Sequence, residues 1–143
     1  MRYFNIFIIS IILLVLAGCA NLDCKPGVYT TLQGTDTAVV SLYIDKNGYP
    51  QANADTVRVY PGQKIVFAGP DRFEILFKDQ KSPIGKLEVQ SSNGIVVIEI
   101  PKNIFEQDQR ESKATNTKEK LFYRYGIRAN GKVTDPGIEI VRR

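Results

Sequence analysis

Hydrophobic and polar residues alternate with a period of two through most of the chain beyond residue 36. Val57 and Val59 fall on one side of the stretch Thr56–Tyr60, and Arg58 falls on the other. Ile65 and Phe67 share a side in Lys64–Ala68, as do Phe73, Ile75 and Phe77 in Phe73–Phe77. Leu121, Tyr123, Tyr125 and Ile127 alternate with Arg124 and Arg128 in Leu121–Ala129. This spacing predicts half-buried strands rather than helices. Further strands are predicted at Val39–Ile44, Lys86–Gln90, Ile95–Ile100 and Ile138–Val141. Ile95–Ile100 is apolar on both sides apart from Glu99, which predicts a central position in its sheet. Turn residues separate the strands: Asp45-Lys46-Asn47-Gly48, Pro61-Gly62, Gly69-Pro70-Asp71, Ser82-Pro83, Asn93-Gly94 and Asn130-Gly131. The expected fold is all-β, a single β-sandwich of about seven to eight strands, with no convincing amphipathic helix.

Two stretches break the alternation. Residues 101–120 are polar and charged, with Ile104 and Phe105 as their large apolar residues. They are predicted to form a long crossing loop with at most one helical turn at its start. Ahead of the strands, residues 19–36 are poor in apolar residues and read as a tether, in which Val28, Tyr29 and Leu32 offer one short strand. The expected division is therefore 1–18, 19–36 and a sandwich domain at 37–143.

The N-terminus carries the most specific pattern. Arg2 precedes an apolar run, Phe4 to Leu16, which is shorter than the roughly 20 apolar residues of a spanning helix. The run ends in Leu16-Ala17-Gly18-Cys19, which resembles the lipobox of bacterial lipoprotein precursors. The resemblance implies a signal peptide at 1–18, cleavage before Cys19, and acyl chains on Cys19 as the membrane anchor. Several chains on one residue supply the second signal that stable attachment needs. The alternative is a retained N-terminal membrane helix with an incidental cysteine. Ala20 is not the aspartate that retains enterobacterial lipoproteins in the inner membrane. The resemblance therefore implies the periplasmic side of the outer membrane, or the cell membrane where no outer membrane exists.

Composition narrows the chemistry. Without residues 1–18 the chain keeps 125 residues, enough for one core, and 18 Lys+Arg against 15 Asp+Glu. The charges are scattered, so no basic stripe for nucleic acid is present. With Cys19 committed to lipid, Cys24 is an odd thiol, either paired between molecules or structural. The chain has no histidine and no tryptophan, and its single methionine is Met1. Ser-His-Asp, Cys-His and Cys/His zinc arrangements are thereby excluded. Among the strand carboxylates Glu74, Glu88, Glu99 and Glu139, two could face each other for glycoside chemistry; solvated strand faces are the expected reading. Asp45-Lys46-Asn47-Gly48 lacks the later ligands of a calcium loop and reads as a β-turn.

Val57-Arg58-Val59-Tyr60-Pro61-Gly62-Gln63-Lys64-Ile65-Val66-Phe67 resembles the strand, corner and partner strand of a cupredoxin-type sandwich. Leu121 to Ile127 followed by Asp135-Pro136-Gly137-Ile138-Glu139-Ile140-Val141 resembles its closing hairpin. Immunoglobulin-like and transthyretin-like sandwiches share much of this pattern. In blue-copper proteins that hairpin carries two His, one Cys and often a Met. Here it carries none, so the resemblance extends to the fold and not to the metal site.

The sequence therefore points to a protein that is not an enzyme and has no cofactor or metal. The expected role is a membrane-anchored module that binds another envelope protein or takes part in envelope assembly. The alternative is a carrier of a small ligand, sugar or lipid, in a sandwich cleft lined by Phe73, Phe77 and Tyr125. Candidate contact residues are Tyr49 and Tyr60, each before a proline at a turn, and Ile104 and Phe105 in the 101–120 loop. The opposing reading folds Ile104 and Phe105 back onto the core.

Overall fold

The computed structural model describes residues 27–30, 36–112 and 118–142, the first of these by backbone alone. The stretch read as a signal peptide, Cys19, Cys24 and most of the stretch read as a tether lie outside the described residues. The strands in chain order are β1 (Gly27–Thr30), β2 (Thr37–Ile44), β3 (Pro50–Ala52), β4 (Ala54–Val59), β5 (Lys64–Ala68) and β6 (Glu74–Phe77). They continue as β7 (Glu88–Gln90), β8 (Ile95–Glu99), β9 (Lys120–Ala129), β10 (Lys132–Thr134) and β11 (Gly137–Val141). One helix, α1 (Ile104–Ser112), lies between β8 and β9.

The strands form two mixed sheets. The larger runs β1-β4-β11-β9-β6-β7, with β10 also on β9; the smaller runs β3-β2-β5-β8. Their facing sides bury Val40, Val57, Val59, Ile65, Phe67, Ile75, Ile98, Tyr125, Ile127, Ile138 and Ile140 in one core. This is a β-sandwich. Three strand pairs, β1 with β4, β4 with β11 and β2 with β5, are parallel. That separates the fold from the immunoglobulin sandwich, whose sheets are antiparallel.

The expected faces are observed. Leu121, Tyr123, Tyr125 and Ile127 of β9 are buried while Phe122 and Arg124 are exposed. The count exceeds the expectation because β1, β3 and β10 are strands of three or four residues. At that length they offer too few positions for a period to show. β1 falls inside the stretch read as a tether and pairs with β4.

Two expectations are corrected. Residues 104–112 form a helix, not a loop. Asn103 accepts backbone hydrogen bonds from Glu106 and Gln107 at its start, and Glu106 and Arg110 complement the helix dipole. Its apolar pair lies in the first turn alone, so no 3.6-residue repeat marked it. β8 is an edge strand rather than a central one: it pairs with β5 and ends the smaller sheet. Its apolar outward residues face solvent.

The corner Tyr60-Pro61-Gly62-Gln63 carries the chain from the larger sheet to the smaller. Gln63 N–H donates to the Tyr60 carbonyl at 3.1 Å, and Gly62 has φ +85°. That is a type II turn, which requires glycine at its third position. The buried Gln63 side chain accepts from Tyr60 N–H at 2.9 Å. The Asn-Gly pairs turn as expected: Asn93 and Gly94, and Asn130 and Gly131, all have positive φ, as two-residue hairpins demand.

Candidate interaction surface

The two outer faces differ in chemistry. The larger sheet is covered by charge pairs. Arg58 bonds Glu139 at 2.5 Å, and Lys120 reaches the same carboxylate at 3.2 Å. The Arg58 hydrogen bond, with Lys120, holds the Glu139 carboxyl below the usual carboxylate range against some desolvation. Arg128 bridges Glu74 and Glu88. Of the strand carboxylates named above, Glu74, Glu88 and Glu139 are thus held by arginine. Phe122 lies across Gly137, where an added Cβ would come within 2.4 Å of its ring. The aromatic ring covers the glycine backbone.

The smaller sheet has an apolar outer face. Register aligns Val39 of β2 with Val66 of β5, and Val66 with Val97 of β8. The next row is Ser41, Ala68 and Ile95, and Tyr43 projects beyond it on β2. Val39, Val97 and Ile95 are 46%, 55% and 47% exposed. Charge enters in the end row, where Lys64 and Glu99 stand 4.0 Å apart. Apolar residues thus stand side by side on three adjacent strands of this face rather than singly.

The strip ends at an open strand edge. Gly69 N–H donates to the Gly94 carbonyl at 3.0 Å, and Ile100 N–H to the Gln63 carbonyl at 2.9 Å. Backbone groups alternate direction along a strand, so the even-numbered residues of β8 face β5. Ile95 faces the other way and is paired with Ser92. The N–H and C=O groups of Val97 and Glu99 therefore point to an edge with no strand beside it among the described residues. Proteins usually blunt such edges with lysine, proline or a bulge. β8, Ile-Val-Val-Ile-Glu, has none of these.

The residues named from sequence fall elsewhere. Ile104 and Phe105 are 3% and 8% exposed and belong to the core cluster, so they are withdrawn as contact residues. Helix geometry seats them inward, and the Arg142 guanidinium covers the Phe105 ring at 4.5 Å. Tyr49 is exposed, but the Lys132 ammonium stands over its ring at 4.5 Å. It follows the turn in which Asp45 Oδ1 accepts from Asn47 and Tyr49 N–H, both at 2.8 Å. The Tyr49 bond is the foremost cause holding the Asp45 carboxyl below its ordinary range. Tyr60 is half-buried just beyond β4, in the corner that leads to β5. The structure does not bring the two tyrosines into one site. Phe73, Phe77 and Tyr125 pack inside the core, and of the three Phe73 alone borders a surface cleft, the one between Arg72 and Arg128, so they do not line one cleft together. The signal for the apolar face is present in Val39, Ile95 and Val97, but in Ile95–Ile100 the same pattern also predicts a central strand.

Among the described residues no three His, Cys, Asp or Glu side chains converge as a metal site. The closing strands β9 to β11 offer no imidazole, thiolate or thioether, so the residues present do not fit a blue-copper centre.

No family model matches the chain, and no curated protein matches it. Among solved structures it is similar to one described as the NMR solution structure of a copper-binding protein in the apo form. The two share 11% identity over 84% of this chain and 99% of that one, with a TM-score of 0.38. The class of protein rests on the strand pairing itself: a mixed β-sandwich with one charged outer face and one apolar outer face.

Proposed function

We propose that this protein is a lipid-anchored, non-catalytic module of the cell envelope that binds another envelope protein through the outer face of its smaller sheet. Cys19 carries the anchor and holds the domain on the periplasmic side of the outer membrane, or at the cell membrane where there is no outer membrane. The sandwich is cupredoxin-like without the copper ligands. The observation that carries this reading is the row Val39, Val66 and Val97, exposed at both ends and bordered by the open edge of β8. A partner strand laid along that edge would pair with Val97 and Glu99 while its alternate side chains extended the row beside Val97, the mode called β-augmentation.

Two measurements test it. Intact mass of the purified protein should show an N-terminus at Cys19 bearing acyl chains, and Cys19→Ser should accumulate as the uncleaved precursor. A mature N-terminus elsewhere, or no lipid mass, ends the anchoring reading. In pull-downs from detergent-solubilised membranes, Val97→Lys should remove the co-purifying protein while changing stability by no more than about 0.5 kcal/mol, as for exposed sites generally. An unchanged set of partners would move the search to Tyr49 and Tyr60.

A further inference from the structure

One end of the sandwich is set apart by where the chain enters it. β1 begins at Gly27, level with Ala54 at the start of β4. Gly137 of β11 stands between Thr56 of β4 and Arg124 of β9. β11 is parallel to β4 and antiparallel to β9, so β9 ends on the side from which the chain arrives. At about 3.3 Å per residue, Asn130 stands roughly 20 Å past the level of Arg124, and Gly27 only about 7 Å past it. The Asn130-Gly131 hairpin therefore projects about 13 Å beyond the point where β1 starts. The turn at 45–48 lies beside that hairpin. The Lys132 ammonium donates to the Asn47 carbonyl and stands over the Tyr49 ring at 4.5 Å.

Residues 20–26 separate Gly27 from Cys19. A chain of that length spans at most about 28 Å when extended and roughly 15 Å as a random coil. The coil distance is close to the projection of the hairpin. A bilayer holding acyl chains on Cys19 would therefore meet this end of the sandwich first.

The residues at this end suit a headgroup layer. Tyr43 and Tyr49 are 53% and 43% exposed. Lys46 and Arg72 are exposed and make no ion pair among the described residues. Arg72 borders the same cleft as Asn130 and Gly131. With Lys132, three cations stand there against Asp45 and Asp71, and the Asp45 carboxylate is already taken up by Asn47, Tyr49 and Gln51. Tyrosine rings with a polar tip and cations on long stems are the side chains that settle at a membrane interface.

We propose that this end of the sandwich, with Tyr49 at its tip, rests on the phospholipid headgroups of the membrane that holds the anchor. The inference rests on the Cys19 anchor proposed above and adds an orientation to it. The strands stand on end, and the row Val39, Val66 and Val97 and the edge of β8 stay clear of lipid for a protein partner.

The chain has no tryptophan, so one introduced tryptophan reports its own position. The full-length protein, purified with its acyl chains, is reconstituted into vesicles of phosphatidylcholine and phosphatidylglycerol. Part of the phosphatidylcholine is brominated near the headgroup and quenches tryptophan by contact. Tyr49→Trp should lose fluorescence about twofold against unbrominated vesicles, as a ring at headgroup level does, and Tyr43→Trp should lose less. Lys102→Trp, beside Gly62 at the opposite end, should keep its fluorescence. Thermal melting establishes that each variant folds, and Tyr43→Trp carries the test if Tyr49→Trp does not fold. Protein that floats with the vesicles while both tyrosine replacements stay unquenched overturns this orientation and leaves the anchor standing. Quenching of Lys102→Trp equal to theirs, or greater, also overturns it. Protein that does not float with the vesicles ends the anchoring reading and this one with it.

Discussion

Tyr125→Phe should stabilise this protein, the reverse of the usual result for removing a buried hydroxyl. Tyr125 is fully buried at the centre of the sandwich, where β9 passes from β11 to its pairing with β6. Its ring meets Phe67 edge-on, with centroids 5.4 Å apart and planes at 66°. Its hydroxyl is buried with no hydrogen-bond partner among the described residues. Burial raises the phenol pKa well above its ordinary value, since the ionised form would be worse still. An unpaired buried polar group costs about 1–3 kcal/mol relative to the hydrated group in the unfolded chain. Phenylalanine removes that penalty and keeps the ring and its contact with Phe67. The void left by one oxygen, on the order of 10 Å³, costs roughly 0.2 kcal/mol at about 24 cal/mol per Å³. The net gain should be about 1–2 kcal/mol, which for a domain of this size raises Tm by about 4 °C or more. Urea unfolding, with the slope m unchanged, is the assay. A loss of more than about 1 kcal/mol would refute the reasoning, because it would mean that the hydroxyl makes a bond worth keeping.

The remaining predictions test the register and the turns. Tyr125→Ala should cost about 3–5 kcal/mol and Arg124→Ala, on the solvent face of β9, under about 1 kcal/mol; the reverse order in urea unfolding would place β9 one residue out of register. Gly94→Ala should destabilise by more than about 1 kcal/mol in the same assay, because the φ of +73° disfavours a side chain and the new Cβ would stand 2.7 Å from the Gly69 carbonyl oxygen. On the alkaline side, burial and the nearby Asp108 and Glu111 carboxylates push the Tyr123 phenol up to about 12 in the folded state, whereas the unfolded chain releases the proton near the ordinary phenol value of 10.0. Stability from this group is therefore complete below pH 10 and is lost as pH rises from there through about 12; the melting temperature of Tyr123→Phe should decline less steeply across that window than that of the native protein, the remaining decline coming from Tyr125, whose phenol burial also raises, and an identical decline in both would refute it.

Much of the fold was legible because alternation reports burial directly. Val57, Val59, Ile65, Phe67, Phe73, Ile75 and Phe77 all lie inside, as their spacing predicts. The helix was not legible, because Ile104 and Phe105 supply one apolar turn and the rest of α1 faces water. The apolar row joins Val39 and Val97, which lie far apart in sequence, through Val66, and no local pattern announces such a meeting. The edge position of β8 was not legible for a related reason. A strand apolar on both sides is what a central strand shows, and it is equally what an edge strand shows when its outer face is kept for contact.

Alone, the sequence determined the strand-forming stretches, their inward faces, the Asn-Gly and Pro-Gly turns, and the lack of imidazole and thioether ligands beyond Met1. These are properties of local residue order, since a period of two and a turn dipeptide act over a few residues. Tertiary structure alone decided which strands pair and in which direction. It placed β2 beside β5 and β5 beside β8, so that three valines from three separate strands form one row. It also buried the Tyr125 hydroxyl with no hydrogen-bond partner among the described residues. Those outcomes depend on long-range pairing, where each contact is set by the packing of the whole core rather than by the residues on either side of it.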